Sequence, residues 1–250
     1  MKKYKTGLVL SGGGTRGFAH LGVIKALNEK GIYPDVISGV SAGAITGAFI
    51  AAGKSPEETM NIFKKGWFFK YSKTQIPVDG LFRLDGLKQV INQEIEIKNI
   101  EELKIPMFIG ASNLNKGSIE YISSGPLGQW VLASSSIPVL FSPVRIGNYL
   151  YSDGGIIDNI PIEPIKNDCE QIIVVNITPL NPREKLKNLI QITSRTFYMN
   201  VNANKNKVHQ YASVYIEPEG INNYDILNRG QAEELFELGY NSVIKHAVLK

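Results

Sequence analysis

Cysteine is almost missing: Cys169 stands alone among 250 residues. A lone thiol cannot close an internal disulfide, which argues against a disulfide-stapled secreted scaffold and leaves Cys169 as a small buried hydrophobe. Charge of one sign is scarce too. The 27 basic and 23 acidic residues leave a net of +4, too little to imply nucleic acid yet compatible with an anionic surface. Long apolar runs are absent. The Met-Lys-Lys start leads into an apolar stretch, Gly7 to Leu10, that stops at once in Ser11 and three glycines; this is a first strand, not a secretory leader. Only Val36 to Gly53 approaches transmembrane length, and its four glycines and three hydroxyl residues fit a packed strand and helix better than a span. The expectation is a cytoplasmic protein with at most peripheral membrane contact, export without a cleaved signal being left open. Low-complexity linkers and internal repeats are also missing, which leaves a single globular domain over residues 1–250.

What is present alternates. Apolar runs of strand period at 6–11, 36–38, 106–111, 118–123, 149–151, 171–177 and 212–217 are separated by segments of helical period. The helical segments lie at 17–30, 42–52, 85–95, 127–135, 184–207 and 231–248, and Ser55-Pro56-Glu57-Glu58 supplies a cap, a first-turn proline and a capping-box glutamate for one more. That rhythm predicts an α/β fold: a three-layer α/β/α sandwich around a mostly parallel central sheet.

Between the second strand and its helix lies Gly39-Val40-Ser41-Ala42-Gly43, a Gly-x-Ser-x-Gly sequence in the strand–turn–helix setting of a nucleophile elbow. Side chains at Gly39 and Gly43 would collide in so sharp a turn, and Ser41 would sit at a helix amino terminus that stabilises negative charge. The alternative is a packing turn. After the first strand, residues 12–17 (Gly-Gly-Gly-Thr-Arg-Gly) satisfy the dinucleotide pattern G-x-G-x-x-G. The acidic residue that pattern needs after the next strand is missing, since Asp35 precedes it. The preferred reading is an oxyanion loop of Gly12, Gly13, Gly14 and Gly17, with Arg16 adding positive charge.

A serine nucleophile needs a base. The three histidines serve poorly: His209 and His246 read as surface or packing residues, and His20 as one that orders the glycine loop, kept as an outside catalytic candidate. The remaining base is Asp153, in Ser152-Asp153-Gly154-Gly155 after a short strand, where partial desolvation would raise its basicity. Asp158 reads as a turn or cap residue.

Three blocks in one order, GGGTRG at 12–17, GVSAG at 39–43 and DGG at 153–155, together resemble the patatin-like phospholipases, in particular the bacterial and neuropathy-target-esterase branch. The Ala133-Ser134-Ser135-Ser136-Ile137-Pro138 block is similar to that family's segment between nucleophile and aspartate. The resemblance covers about residues 5–165. It implies a Ser41/Asp153 catalytic dyad, an oxyanion hole from backbone N–H groups at Gly12, Gly13 and Gly14 with Arg16 and Gly17 completing the loop, and an acyl-serine intermediate. It implies no metal and no cofactor. The expected activity is lipid acyl ester hydrolysis of the phospholipase A or lysophospholipase type. An acyltransferase on the same fold, or a silent lipid- or nucleotide-binding module, is the alternative; the former usually carries histidine where Val40 stands.

For partners, the sequence offers a phospholipid or another acyl-ester lipid, and leaves the oligomeric state open, a homodimer included. Lysines and aromatics interleave from Lys64 to Lys73, so that Trp67, Phe68 and Phe69 could meet a lipid–water interface or be buried core. Six basic residues against one acidic between Arg183 and Lys207 could face anionic lipid or simply be solvated.

Overall fold

The structure, a computed structural model, describes residues 2–65, 84–179, 199, 208–224, 226 and 230–249. The interleaved Trp67, Phe68 and Phe69 lie outside these residues, as does the basic stretch 183–207 apart from Met199. Eight strands form one mixed sheet: β1 (Tyr4–Leu10), β2 (Val36–Gly39), β3 (Met107–Asn113), β4 (Ser118–Ile122), β5 (Val144–Ile146), β6 (Tyr149–Asp153), β7 (Cys169–Val175) and β8 (Val214–Ile216). The order β3-β2-β1-β7-β8 is parallel throughout. These strands are near-continuous apolar runs because both their faces are covered. β4 and β6 pair antiparallel with β3, and β5 extends β6 as a hairpin. β5 is a strand the sequence pattern does not announce.

Strand period sorts the core. Leu8, Leu10, Ile37, Ile109, Ile173 and Val175 point to one face, Val9, Val36, Ile172 and Val174 to the other. The first face carries all six described helices, α1 (Phe18–Glu29), α2 (Ala42–Ala51), α3 (Pro56–Lys64), α4 (Asp85–Glu94), α5 (Leu127–Ser134) and α6 (Ala232–Ile244). Among the described residues the second face is covered by Ile160, Ile162, Ile165 and Val208, with Cys169 buried there. The first helical segment splits into a short 3-10 turn, Gly14–Gly17, and then α1. The last helix stops at Ile244, short of the expected 248. At α3 the capping box forms as read: Glu58 N–H donates to Ser55 Oγ at 3.0 Å and Ser55 N–H to Glu58 Oε2 at 2.7 Å.

Candidate active site

Parallel register brings the ends of β1 and β2 level, Leu10 opposite Gly39, so the two loops that follow leave the sheet side by side. Ser41 follows β2 with φ 52° and ψ −120°, a conformation that a residue with a side chain enters only under constraint. The constraint is steric. A Cβ at Gly39 would lie 2.5 Å from the Gly43 carbonyl oxygen, and one at Gly43 only 2.1 Å from that of Leu10. Serine ahead of a helix ordinarily caps it with its hydroxyl. Ser41 makes no such bond. Its N–H donates to Ser134 Oγ at 2.9 Å, and Ser134 Oγ donates in turn to the Gly110 carbonyl at 2.7 Å.

Asp153 reaches the same place from the other direction. β2 pairs with residues 107–109 of β3 and β6 with residues 111–113, while β4 takes the opposite edge of β3 over 109–113. β2 and β6 therefore share one edge of β3 end to end. Asp153, opposite Ala111, comes to rest just beyond Gly39, opposite Ile109. Its side chain is buried at 1% exposure. Oδ1 accepts the Gly155 N–H at 2.8 Å, whereas Oδ2 has no hydrogen-bond partner among the described residues. Burial lifts the carboxyl from 3.8 to about 7, opposed by the nearby Ser41 hydroxyl and the Gly155 N–H. The hydroxyl is thus close enough to act on the carboxylate, but the two form no hydrogen bond of ordinary geometry.

The glycine loop lies against this pair: a Cβ at Gly12 would be 3.2 Å from Ser41 Cβ and 2.4 Å from Asn159 Oδ1. Gly12 N–H donates to the Asn159 carbonyl at 3.3 Å, but among the described residues Gly13 and Gly14 N–H donate to no acceptor. Arg16 is buried and does not reach toward the serine. Nε and Nη2 donate to the Tyr224 carbonyl at 3.0 and 2.8 Å and Nη1 to that of Ile177 at 3.2 Å, tying the loop to the C-terminal part of the chain. Gly17 keeps α1 close to α2, where its Cβ would stand 3.1 Å from that of Ala42.

His20 orders the loop. Its Nε2 bonds the Ser11 carbonyl at 2.8 Å, and full burial holds its pKa down at about 4, so the ring is neutral. His209, exposed, stacks on Tyr215, and His246 Nε2 meets the Tyr215 carbonyl at 3.3 Å. Asp158 is the turn residue expected, accepting from Ile160 N–H at 3.2 Å and from Tyr121 Oη–H at 2.6 Å. Asp35 pairs with Thr6 at the start of β1, the opposite end of the strand from the glycine loop. It is therefore out of reach of a ribose held there. Among the described residues no three His, Cys, Asp or Glu side chains come together to hold a metal ion. Sequence reasoning missed Asn159, which carries no signal, and gave no role to Ser134 and Ser136 although their block was visible.

A cleft of about 50 Å³ lies between the glycine loop, α1, α2 and α3, and Ala42, the residue after Ser41, is part of its lining. Gly14 and Ala42 line it, Phe18, Ile45 and Phe63 supply apolar side chains, and Thr46 brings a buried hydroxyl without a partner among the described residues.

Residues 8–166 match the sequence profile of a family described as Patatin-like phospholipase. The chain is 30% identical to Lysophospholipase NTE1 of Kluyveromyces lactis over 94% of its own length and 18% of that protein. It is 32% identical to an uncharacterized NTE family protein of Mycobacterium tuberculosis over 64% of its length and 45% of the relative. It thus spans less than half of either. Among solved structures, VipD from Legionella pneumophila shares the fold, with a TM-score of 0.55 at 16% identity over 97% of this chain and 66% of that one.

Proposed function

The chain belongs to the patatin-like phospholipase family, and from that premise we propose that it is a lipid acyl hydrolase of the phospholipase A or lysophospholipase kind, with Ser41 as nucleophile and Asp153 as base. One observation carries the reading: a strained, uncapped serine hydroxyl lies beside a buried carboxyl that has one oxygen without a partner among the described residues, and the same burial pushes that carboxyl up to about 7. A carboxylate at its ordinary pKa would be a feeble base, and one raised to about 7 is matched to neutral pH.

Asp153 Oδ2 takes the Ser41 proton as Oγ attacks the acyl carbonyl carbon. The oxyanion that forms lies toward the uncommitted N–H groups of Gly13 and Gly14. Collapse of the tetrahedral intermediate expels the alcohol, which leaves with the proton held by Asp153. Water then attacks the acyl-serine with Asp153 again as base, releasing the carboxylic acid and restoring Ser41. Arg16 keeps the glycine loop in place through its carbonyl bonds. The acyl chain lies in the cleft walled by Phe18, Ile45 and Phe63. The printed activity of the fungal relative, lysophospholipase, supports a lipid substrate.

The test is turnover of a medium-chain p-nitrophenyl ester and of phospholipid by wild type, Ser41→Ala and Asp153→Asn, once circular dichroism shows all three folded. Each variant loses activity on the order of 10⁴-fold or more, and wild-type turnover rises with pH around a midpoint near 7. A wild type inert on every ester, with measurable NAD or lipid binding, would overturn the reading in favour of a binding module.

A further inference from the structure

The block 133–138 does no chemistry in the scheme above, yet both partners of the site are fastened to it. Ser134, fully buried, accepts the Ser41 N–H through Oγ at 2.9 Å and donates its own hydroxyl hydrogen bond to the Gly110 carbonyl at 2.7 Å. Two residues on, the Ser136 carbonyl accepts the Asp153 N–H at 2.9 Å and the Ser152 hydroxyl at 2.5 Å. One turn back along α5, the ring of Trp130 meets that of Tyr151 edge-on at 4.9 Å and 81°, two residues before Asp153 on β6. The end of one helix therefore holds the backbone of Ser41 and the backbone of Asp153, residues that lie far apart in the chain.

Resting on the dyad reading, we infer that the C-terminal end of α5 is a bracket that sets the distance from the Ser41 hydroxyl to the Asp153 carboxylate, with Ser134 as a positioning residue for the nucleophile. The need for such a part follows from the geometry. Ser41 holds a φ of 52°, and its N–H at the apex of the turn is too deep for water to satisfy. The Ser134 hydroxyl supplies the missing acceptor, and its own bond to Gly110 fixes it against β3, the strand on which β2 and β6 meet. The hydroxyl is thus a spacer between the elbow and the shared strand. Ser135 and Ser136 direct their own hydroxyls back to the Val131 and Leu132 carbonyls, four residues earlier, so neither hydroxyl turns toward the elbow as that of Ser134 does. Proton transfer between two oxygens is steep in distance, so a displacement of about 1 Å costs up to about 10²-fold.

The experiment compares wild type, Ser134→Ala and Ser134→Thr in ester turnover and in the rate at which a short-chain fluorophosphonate labels Ser41. Ser134→Ala lowers kcat and the labelling rate together by about 10- to 100-fold. KM stays within about twofold because the cleft is untouched, and the pH midpoint stays near 7 because Asp153 keeps its burial. Ser134→Thr keeps an oxygen at the position and restores most of kcat. Wild-type kcat and labelling in a folded Ser134→Ala protein would overturn the bracket while leaving the dyad standing. So would a folded Ser134→Thr protein as slow as Ser134→Ala, since the hydroxyl would then have no part in the effect. A wild type that neither turns over esters nor labels at Ser41 would instead remove the dyad reading itself. Should Ser134→Ala not fold, Ser134→Cys, whose thiol is a weaker acceptor and donor, takes its place: an intermediate kcat supports the bracket and an unchanged one overturns it.

Discussion

Ser41 and Asp153 arrive at one edge of β3 by different means. The serine is aimed by its immediate neighbours, since Gly39 and Gly43 leave the chain a single tight path and Leu10 closes it from the adjacent strand. The aspartate has no such local mould: its backbone is held from a distance by the end of α5, which also anchors the Ser41 N–H through Ser134, and only its carboxylate is steadied by the neighbouring Gly155. A site made of one local device and one assembled device should fail in two ways. Local steric faults unfold the region, while faults on the assembled side shift distances and proton affinities and leave the fold intact.

The strongest way to break that contrast is Gly43→Ala. The new methyl would stand 2.1 Å from a backbone oxygen that belongs to a central strand and cannot turn aside. Urea denaturation should show a loss of about 3 kcal/mol or more. A loss well below that would mean that the elbow yields, and that local sterics do not dictate its shape.

Second in size is the response to pH, where the two sides carry opposite signs. His20, on the glycine-loop side, is neutral when folded and has its pKa held down at about 4; it contributes stability that is complete above its unfolded value of about 6.5 and is lost as pH falls through 4. Asp153, on the assembled side, is raised to about 7; its contribution is complete below 3.8 and is lost as pH rises through 7. Between pH 4 and 6.5 the two slopes oppose each other in wild type. Relative to wild type, Asp153→Asn should gain stability as pH rises across that window, and His20→Gln should lose it, each by up to about 1.4 kcal/mol per pH unit. Thermal melts of the three proteins across the window check this, and parallel curves would show that neither group is held in the state described.

Smaller again is the effect of Ile45→Trp, which fills the cleft on the elbow's side without touching Asp153. Turnover of a long-chain ester should fall about 10- to 100-fold relative to that of p-nitrophenyl acetate. Equal losses on both would mean that the acyl chain lies elsewhere.

The same contrast explains what the sequence disclosed. The elbow, the glycine loop, the α3 cap and most of the strands were legible because each rests on rules that act over a few residues: glycine where a Cβ will not fit, an apolar period of two, a serine three residues before a glutamate. Asp153 could be singled out by its flanking glycines and its strand, but its basicity could not, because that comes from burial among residues scattered through the chain. β5 escaped notice, being three residues of a hairpin with one exposed position. Arg16 could be read as a charge for the oxyanion only while its partners, the Tyr224 and Ile177 carbonyls, were unknown. Nothing near Asn159 in the sequence marks it as the neighbour of Gly12.

The smallest predicted effect tests how far the assembled side extends. Asp158 closes the turn that follows Asp153: its N–H donates to the Gly154 carbonyl at 3.0 Å, its Oδ1 accepts from Ile160 and its Oδ2 from the Tyr121 hydroxyl. Burial raises its carboxyl to about 6, and the Tyr121 bond opposes the rise. Tyr121→Phe removes that donor and should lift the carboxyl further. At pH 5 Asp158 is mostly protonated and the variant loses about 1 kcal/mol, the worth of an ordinary hydrogen bond. At pH 8 wild-type Asp158 is ionised and depends on the phenol, so the loss should grow toward about 2 kcal/mol. Activity should barely change at either pH, because the turn keeps its backbone bond to Gly154 and the Ile160 N–H bond to Asp158 Oδ1. Denaturation curves at the two pH values, read beside kcat, decide the matter: a deficit independent of pH would mean the phenol merely fills space, and a collapse of kcat would carry the assembled side of the site out as far as β4.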